Sequence, residues 1–220
     1  LTDHDTLGGL AMAHKAASRL GIDFIPGIEF SVEGDKQIHI LAYGITEQMT
    51  GVVNLVKRMR DDREARRPRF IQKLQELGID ISDDDLVIPP GTAFSRPILA
   101  SAMAAKGYVA SVQEAFDRYI GVGRPAYVPR AYVAAMEVIG IIRDSGAAAV
   151  LAHPGLPMYN ANEMRTLLPG LIAAGLQGVE AIHPSHTPQQ CSYWEAAARN
   201  NGLFVTAGSD FHAKVDELHG

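Results

Sequence analysis

Apolar residues recur at helical spacing across residues 8–20, where Leu10, Ala13, Ala17 and Leu20 share a side and Gly21 follows as a C-terminal cap. Two β-rich runs come next, DFIPGIEFSV carrying Glu29 and KQIHILAYGI carrying His39, and they predict strands. Residues 47–79 change character. Val53, Val56, Met59, Phe70, Ile71, Leu74 and Leu77 stand among many charges and predict one long charged helix or two, with Pro68 as the place for a kink. An acidic, proline-ended loop over 79–91, short helices over 96–106 and 111–120, and a glycine-rich turn at 121–125 complete this stretch. Helices over 134–145, 163–174 and 188–200 then alternate with strands at 147–154, 178–183 and 203–212. Such alternation marks an α/β protein. Residues 1–46 and 131–220 are expected to form its main body, and 47–130 a helical insertion.

Composition narrows the class. Of 220 residues, 47% are hydrophobic and 20% charged, as in a globular chain rather than a disordered one. No apolar run approaches the ~18 residues of a membrane span, so no membrane association is expected. Lys plus Arg is 20 against 25 Asp plus Glu, a net charge of −5, which excludes a nucleic-acid-coating protein and predicts no stable nucleic-acid complex. A single cysteine, Cys191, excludes an intrachain disulfide, and with no signal peptide in view it predicts a cytoplasmic protein. The opening Leu1-Thr2-Asp3-His4-Asp5 reads as the end of a strand, so further native sequence is expected upstream.

The chemistry gathers at strand ends. Asp3 and His4, Glu29, His39, His153, and Asp210 with His212 each fall at or near the C-terminal end of a β-rich run, where parallel α/β folds place their sites. A lone histidine there, such as His39 between Ile38 and Ile40, is commonly a satisfied core residue; the recurrence carries the argument. Glu29 lies in an apolar run, and a buried carboxylate is costly unless paired or bound to metal. Imidazoles with carboxylates suit Zn, Mn, Fe or Ni better than Ca or Mg. Several carboxylates favour more than one ion, because a carboxylate can bridge two cations.

The motifs TDHDTLGG, PGIEFS, IHILAYGI, VLAHPG, GVEAIH and AGSDFH, in this order over residues 2–212, resemble the polymerase and histidinol phosphatase (PHP) superfamily of metal-dependent phosphoesterases. The REARRPRF helix and the SRP stretch resemble its branch that removes the 3′-phosphate of nucleoside 3′,5′-bisphosphates or trims short RNA from the 5′ end. The resemblance implies a distorted (β/α)7 TIM-like barrel, here lacking its N-terminal strand, with an inserted helical subdomain and two to three divalent ions (Mn, Fe or Zn). It implies His4, Glu29, His39, His153, Asp210 and His212 as metal ligands, with Glu29 bridging. The family's His-x-His and a following aspartate would precede Leu1. A metal-bound hydroxide is expected to attack phosphorus in line; the acid that assists departure is unassigned, with His183 and His186 of AIHPSHT as candidates beside the reading of them as loop histidines.

Six arginines crowd residues 58–69. Charge alone reads them as a solvated helix face balanced by Asp61, Asp62 and Glu64. The resemblance turns Arg63, Arg66 and Arg96 into expected contacts for a second phosphate, since guanidinium forks match phosphate oxygens. The branch carries a histidine two residues after Arg96, where this chain has Ile98. The expected substrate is a nucleotide or short oligonucleotide. A histidinol-phosphate phosphatase and a non-catalytic PHP module are the alternatives. A metal-dependent amidohydrolase would ask for a strand-end lysine, and none is apparent.

Overall fold

The computed structural model describes residues 1–32, 38–89, 93–156 and 161–211. After α1 (Leu10–Leu20) come β1 (Gly27–Val32) and β2 (Ile38–Tyr43), then the long α2 (Thr50–Glu76). The helical stretch continues with α3 (Arg96–Ala105) and α4 (Val112–Ala115), and a π-helical turn spans Phe116–Ile120. Alternation resumes with α5 (Ala135–Asp144), β3 (Ala148–Leu151), α6 (Ala161–Ala174), β4 (Gly178–Ile182), α7 (Pro188–Asn200) and β5 (Phe204–Ala207). The long charged segment is one helix, with Pro68 inside it. Its first half buries Val52, Leu55 and Met59, and its second half Phe70, Ile71 and Leu74.

The five strands form one mixed sheet in the order β1-β2-β3-β4-β5. The first three pair antiparallel, and β3, β4 and β5 pair parallel. This corrects the expected (β/α)7 barrel, because the sheet is mixed and not closed. A barrel of that kind needs every strand parallel, with helical crossovers between neighbours. Here β1 meets β2 in antiparallel register, Glu29 opposite Leu41 and Ser31 opposite His39. The outer edge of β1 is met by a single parallel bridge from His4 to Glu29.

Strand alternation sorts the two faces of the sheet. Ile28, Phe30, Val32, Ile40, Ala42, Leu151, Val179 and Ala181 enter a core with α2, α5, α6 and α7. The opposite face carries Glu29, His39 and Glu180, with a small apolar patch of Leu41, Val150 and Ala152 beside them. A second core gathers Phe70 and Leu74 of α2 with Phe94, Leu99, Met103, Ile120 and Val128. α2 therefore enters both cores.

Candidate metal centre

Glu29 is the focus of the site. It is buried at the middle of β1, on the face turned away from the main core. Its Oε1 lies 2.8 Å from His39 Nδ1 and 3.0 Å from His153 Nε2. Those two nitrogens are 3.2 Å apart. His4 Nε2 stands 3.6 Å from the other oxygen, Oε2. Burial opposes ionisation of Glu29, but hydrogen bonds from His153 and His39 and the nearby His4 win, and hold its pKa far below the carboxylate range.

Two sets of donors overlap here. The ligand atoms of His4, Glu29 and His39 lie within 4.8 Å of one another, as do those of Glu29, His153 and Asp210. Glu29 belongs to both. Three imidazoles converging on one buried carboxylate fit divalent transition metals. His212 lies outside the described residues. Asp3 instead holds the edge of β1, its carbonyl accepting from Glu29 N at 3.1 Å.

The surroundings stiffen these donors. Glu180 Oε2 accepts the backbone N–H of His153 at 3.0 Å. Burial, against that hydrogen bond and the charge of His153, raises the pKa of Glu180. For His153, burial opposes charge, yet its bond to Glu29 prevails and its pKa is raised. Burial and then Glu180 push Tyr43 up to about 12. Three non-glycine residues among those described have a left-handed backbone, Asp5 (φ 50°), His153 (φ 26°) and Asp210 (φ 49°). Two are proposed ligands and the third adjoins His4. Such strain, of order 1–3 kcal/mol per residue, collects at functional sites. A cavity of about 500 Å³ opens over this face, lined among others by His4, Glu29, Tyr43, His153, Glu180 and Asp210.

The two rim histidines part ways. His186 uses both ring nitrogens on backbone: Nδ1 donates to Ala181 O and Nε2 accepts from Gly155 N, each at 3.0 Å. It ties two loops together and has no nitrogen left for proton transfer. His183 is buried beside His153, their ring centroids 5.6 Å apart. Burial, then the charges of His153 and His186, lower its pKa.

Sequence reading missed Asp5 and Arg130. The Asp5 carboxylate is almost fully enclosed; Oδ1 accepts from Ser31 N at 2.9 Å, and Oδ2 takes Arg63 and, at 3.3 Å, Arg130. Arg63 is thus engaged by Asp5. Arg66 is buried, with Nε 3.2 Å from Asp62 Oδ2. Burial, against Asp62, lowers its pKa, and the charges of Arg130, Arg63 and Arg96 act in the same direction. Arg96 lies over the rings of Phe116 and Tyr127, at 5.4 and 5.8 Å. The TDHD motif signalled Asp5 by position, whereas nothing local marks Arg130.

Several known proteins resemble this chain in sequence and in fold. The chain is 34% identical to a 3′,5′-nucleoside bisphosphate phosphatase of Chromobacterium violaceum, over 97% of its own length and 76% of the relative's. It is 30% identical to a phosphoribosyl 1,2-cyclic phosphate 1,2-diphosphodiesterase of Eggerthella lenta (99% and 83%) and 28% identical to the 5′-3′ exoribonuclease Rnm of Salmonella typhimurium (96% and 74%). A Bifidobacterium adolescentis structure described as a metal-dependent phosphoesterase superposes with a TM-score of 0.83 at 28% identity, covering 97% of this chain and 76% of that one. A Chromobacterium violaceum structure described as an amidohydrolase, with sulfate bound and no metal, gives 0.84 at 32% identity, with 98% and 77% covered. No protein-family profile matches. The chain belongs to the PHP family of metal-dependent phosphoesterases, in the branch of the nucleoside bisphosphate phosphatases and 5′-3′ exoribonucleases. It is a hydrolase of phosphate esters that uses divalent metal. Among the described residues no helix is long and apolar enough to cross a membrane.

Proposed function

We propose that this enzyme removes the 3′-phosphate of nucleoside 3′,5′-bisphosphates, or releases nucleotides from the 5′ end of short RNA, in the cytoplasm. The observation that carries the reading is the pairing of a His/carboxylate cluster with a buried arginine group joined to it through Asp5. Such a pair handles two phosphates, one to be cut and one to be held.

His4, Glu29, His39, His153, Asp210 and His212 would hold two or three ions of the Mn, Fe or Zn type, with Glu29 a member of both donor sets. Bound divalent ions supply Lewis acidity, lowering the pKa of water and neutralising phosphoryl charge. The chain's own residues do the rest. Glu29 stays ionised and neutralises positive charge in a buried place. Glu180 fixes the His153 backbone, which orients the ring. Arg66 and Arg96 hold the second phosphate, and Arg130 shares Asp5 with Arg63. Arg63, bound to Asp5, positions α2. The helical insertion over 47–130 is the part that reads the substrate, and 1–46 with 131–220 the part that cuts it. Net charge −5 supports release of the nucleotide product rather than a lasting nucleic-acid complex.

The test is phosphate release with Mn²⁺, comparing adenosine 3′,5′-bisphosphate with histidinol phosphate. Release from the bisphosphate that a chelator abolishes is the expected result. Release from histidinol phosphate alone keeps the metal site and overturns the substrate. The variant R66A is expected to raise KM for the bisphosphate about tenfold or more, as loss of a charge-assisted phosphate contact predicts, and to change KM for a monophosphate much less. Equal effects on both overturn the second-phosphate role.

A further inference from the structure

His183 carries a buried donor that meets no acceptor. Its Nδ1 accepts the backbone N–H of Ser185 at 3.1 Å. A neutral imidazole whose Nδ1 accepts bears its hydrogen on Nε2. That Nε2 is enclosed by protein and makes no hydrogen bond. Buried N–H groups in folded proteins are almost always paired, so one left over at a site points to an acceptor that arrives with a ligand.

The place of the ring narrows what that acceptor is. His183 packs edge-on against His153, ring centroids 5.6 Å apart, and His153 Nε2 is 3.0 Å from Glu29. The ring therefore adjoins the His/carboxylate cluster. A metal ion does not suit it: an Nε2 that carries hydrogen has no lone pair to offer. Moving the hydrogen to Nδ1 would set it against the Ser185 N–H and break that bond. His186, with both nitrogens on backbone, shows the contrast, since a purely structural histidine in this loop is fully paired.

We propose that His183 is a substrate-binding residue that donates its Nε2 hydrogen to a non-bridging oxygen of the phosphoryl group being cleaved, and does not ligate metal. This rests on the phosphate-ester reading of the site. An anionic phosphoryl oxygen is the strong acceptor a buried imidazole N–H lacks here, and its charge grows as the ester bond breaks.

Two measurements on the full chain test this. The first is ¹⁵N NMR of the imidazole nitrogens. The metal-free protein is expected to show His183 as the Nε2–H form, and inorganic phosphate added to zinc-loaded protein is expected to shift that nitrogen. An Nδ1–H form, or no shift, overturns the proposal. The second compares H183L and H183Q. H183L is expected to keep the metal content of the wild type and lose about 100-fold in kcat, as removal of one preorganised donor does. H183Q, which returns an amide hydrogen near Nε2, is expected to recover part of the loss. Loss of metal in H183L, or unchanged kcat in a folded H183L, overturns the proposal. Wild-type protein that releases no phosphate overturns the substrate reading instead, and the phosphate titration then decides for His183 on its own.

Discussion

Glu29 illustrates how a residue is placed against its own solvation. A carboxylate inside an apolar strand is stable only because three imidazoles reach it, and that need made it legible in the sequence before any fold was known. The glycine at 208 has a similar logic that sequence does not display. A Cβ there would stand 1.8 Å from Glu180 Oε1, so the backbone approaches the carboxylate that holds the His153 N–H. G208A is expected to displace Glu180 and weaken metal binding roughly 10–100-fold, the range for loss of a ligand's support; calorimetric titration of metal into the folded variant checks this. The raised pKa of His153 sets a pH dependence. Its imidazolium cannot ligate, and its folded pKa lies above the ordinary 6.5, so protons compete with metal from above that value downward. Metal affinity is expected to fall as pH drops through that window, with proton release on loading; affinity constant from pH 8 to 6 contradicts it.

At the level of elements, the arginine-rich helix is anchored by a buried carboxylate from outside it, Asp5, alongside the more exposed pairs Arg58–Glu137 and Arg67–Asp83. Asp5 takes Arg63 and Arg130 on the same oxygen while holding Ser31 N with the other. Replacing it by asparagine leaves buried guanidiniums without a counter-charge. D5N is expected to lower stability on the order of 3–5 kcal/mol, the range for breaking a buried pair, as read by urea unfolding; a loss under 1 kcal/mol contradicts this anchoring. The long helix, the alternation of the C-terminal half and the strand-end histidines could be read from periodicity and residue type. Asp5 with Arg130 could not, because residues 5, 63 and 130 meet only once the chain is folded. The direction of the strands was half legible. Apolar alternation is the same for either direction, yet the five residues between β1 and β2 are too few for a parallel crossover, which takes a dozen or more. The barrel expectation came from resemblance and overlooked that spacing.

For the molecule as a whole, the donors come from widely separated segments, residues 4, 29, 39, 153 and 210. A metal that binds them binds only the folded chain. At 100 times its Kd, such an ion adds about 2.7 kcal/mol, or roughly 5–10 °C for a chain of this size. A thermal melt with and without Mn²⁺ is expected to show that rise in the wild type and none in H153A. The passage of α2 through both cores has a further consequence. One end is held by Val52, Leu55 and Met59 under the sheet, and the other by Phe70 and Leu74 in the helical lobe. The arginines sit between, on a rod supported at both ends. Relatives named for a bisphosphate, a cyclic phosphate and RNA share this length of chain. On the proposed reading of this helix as the substrate-holding part, a change of substrate takes only a few substitutions along its middle, while its two buried ends stay as they are.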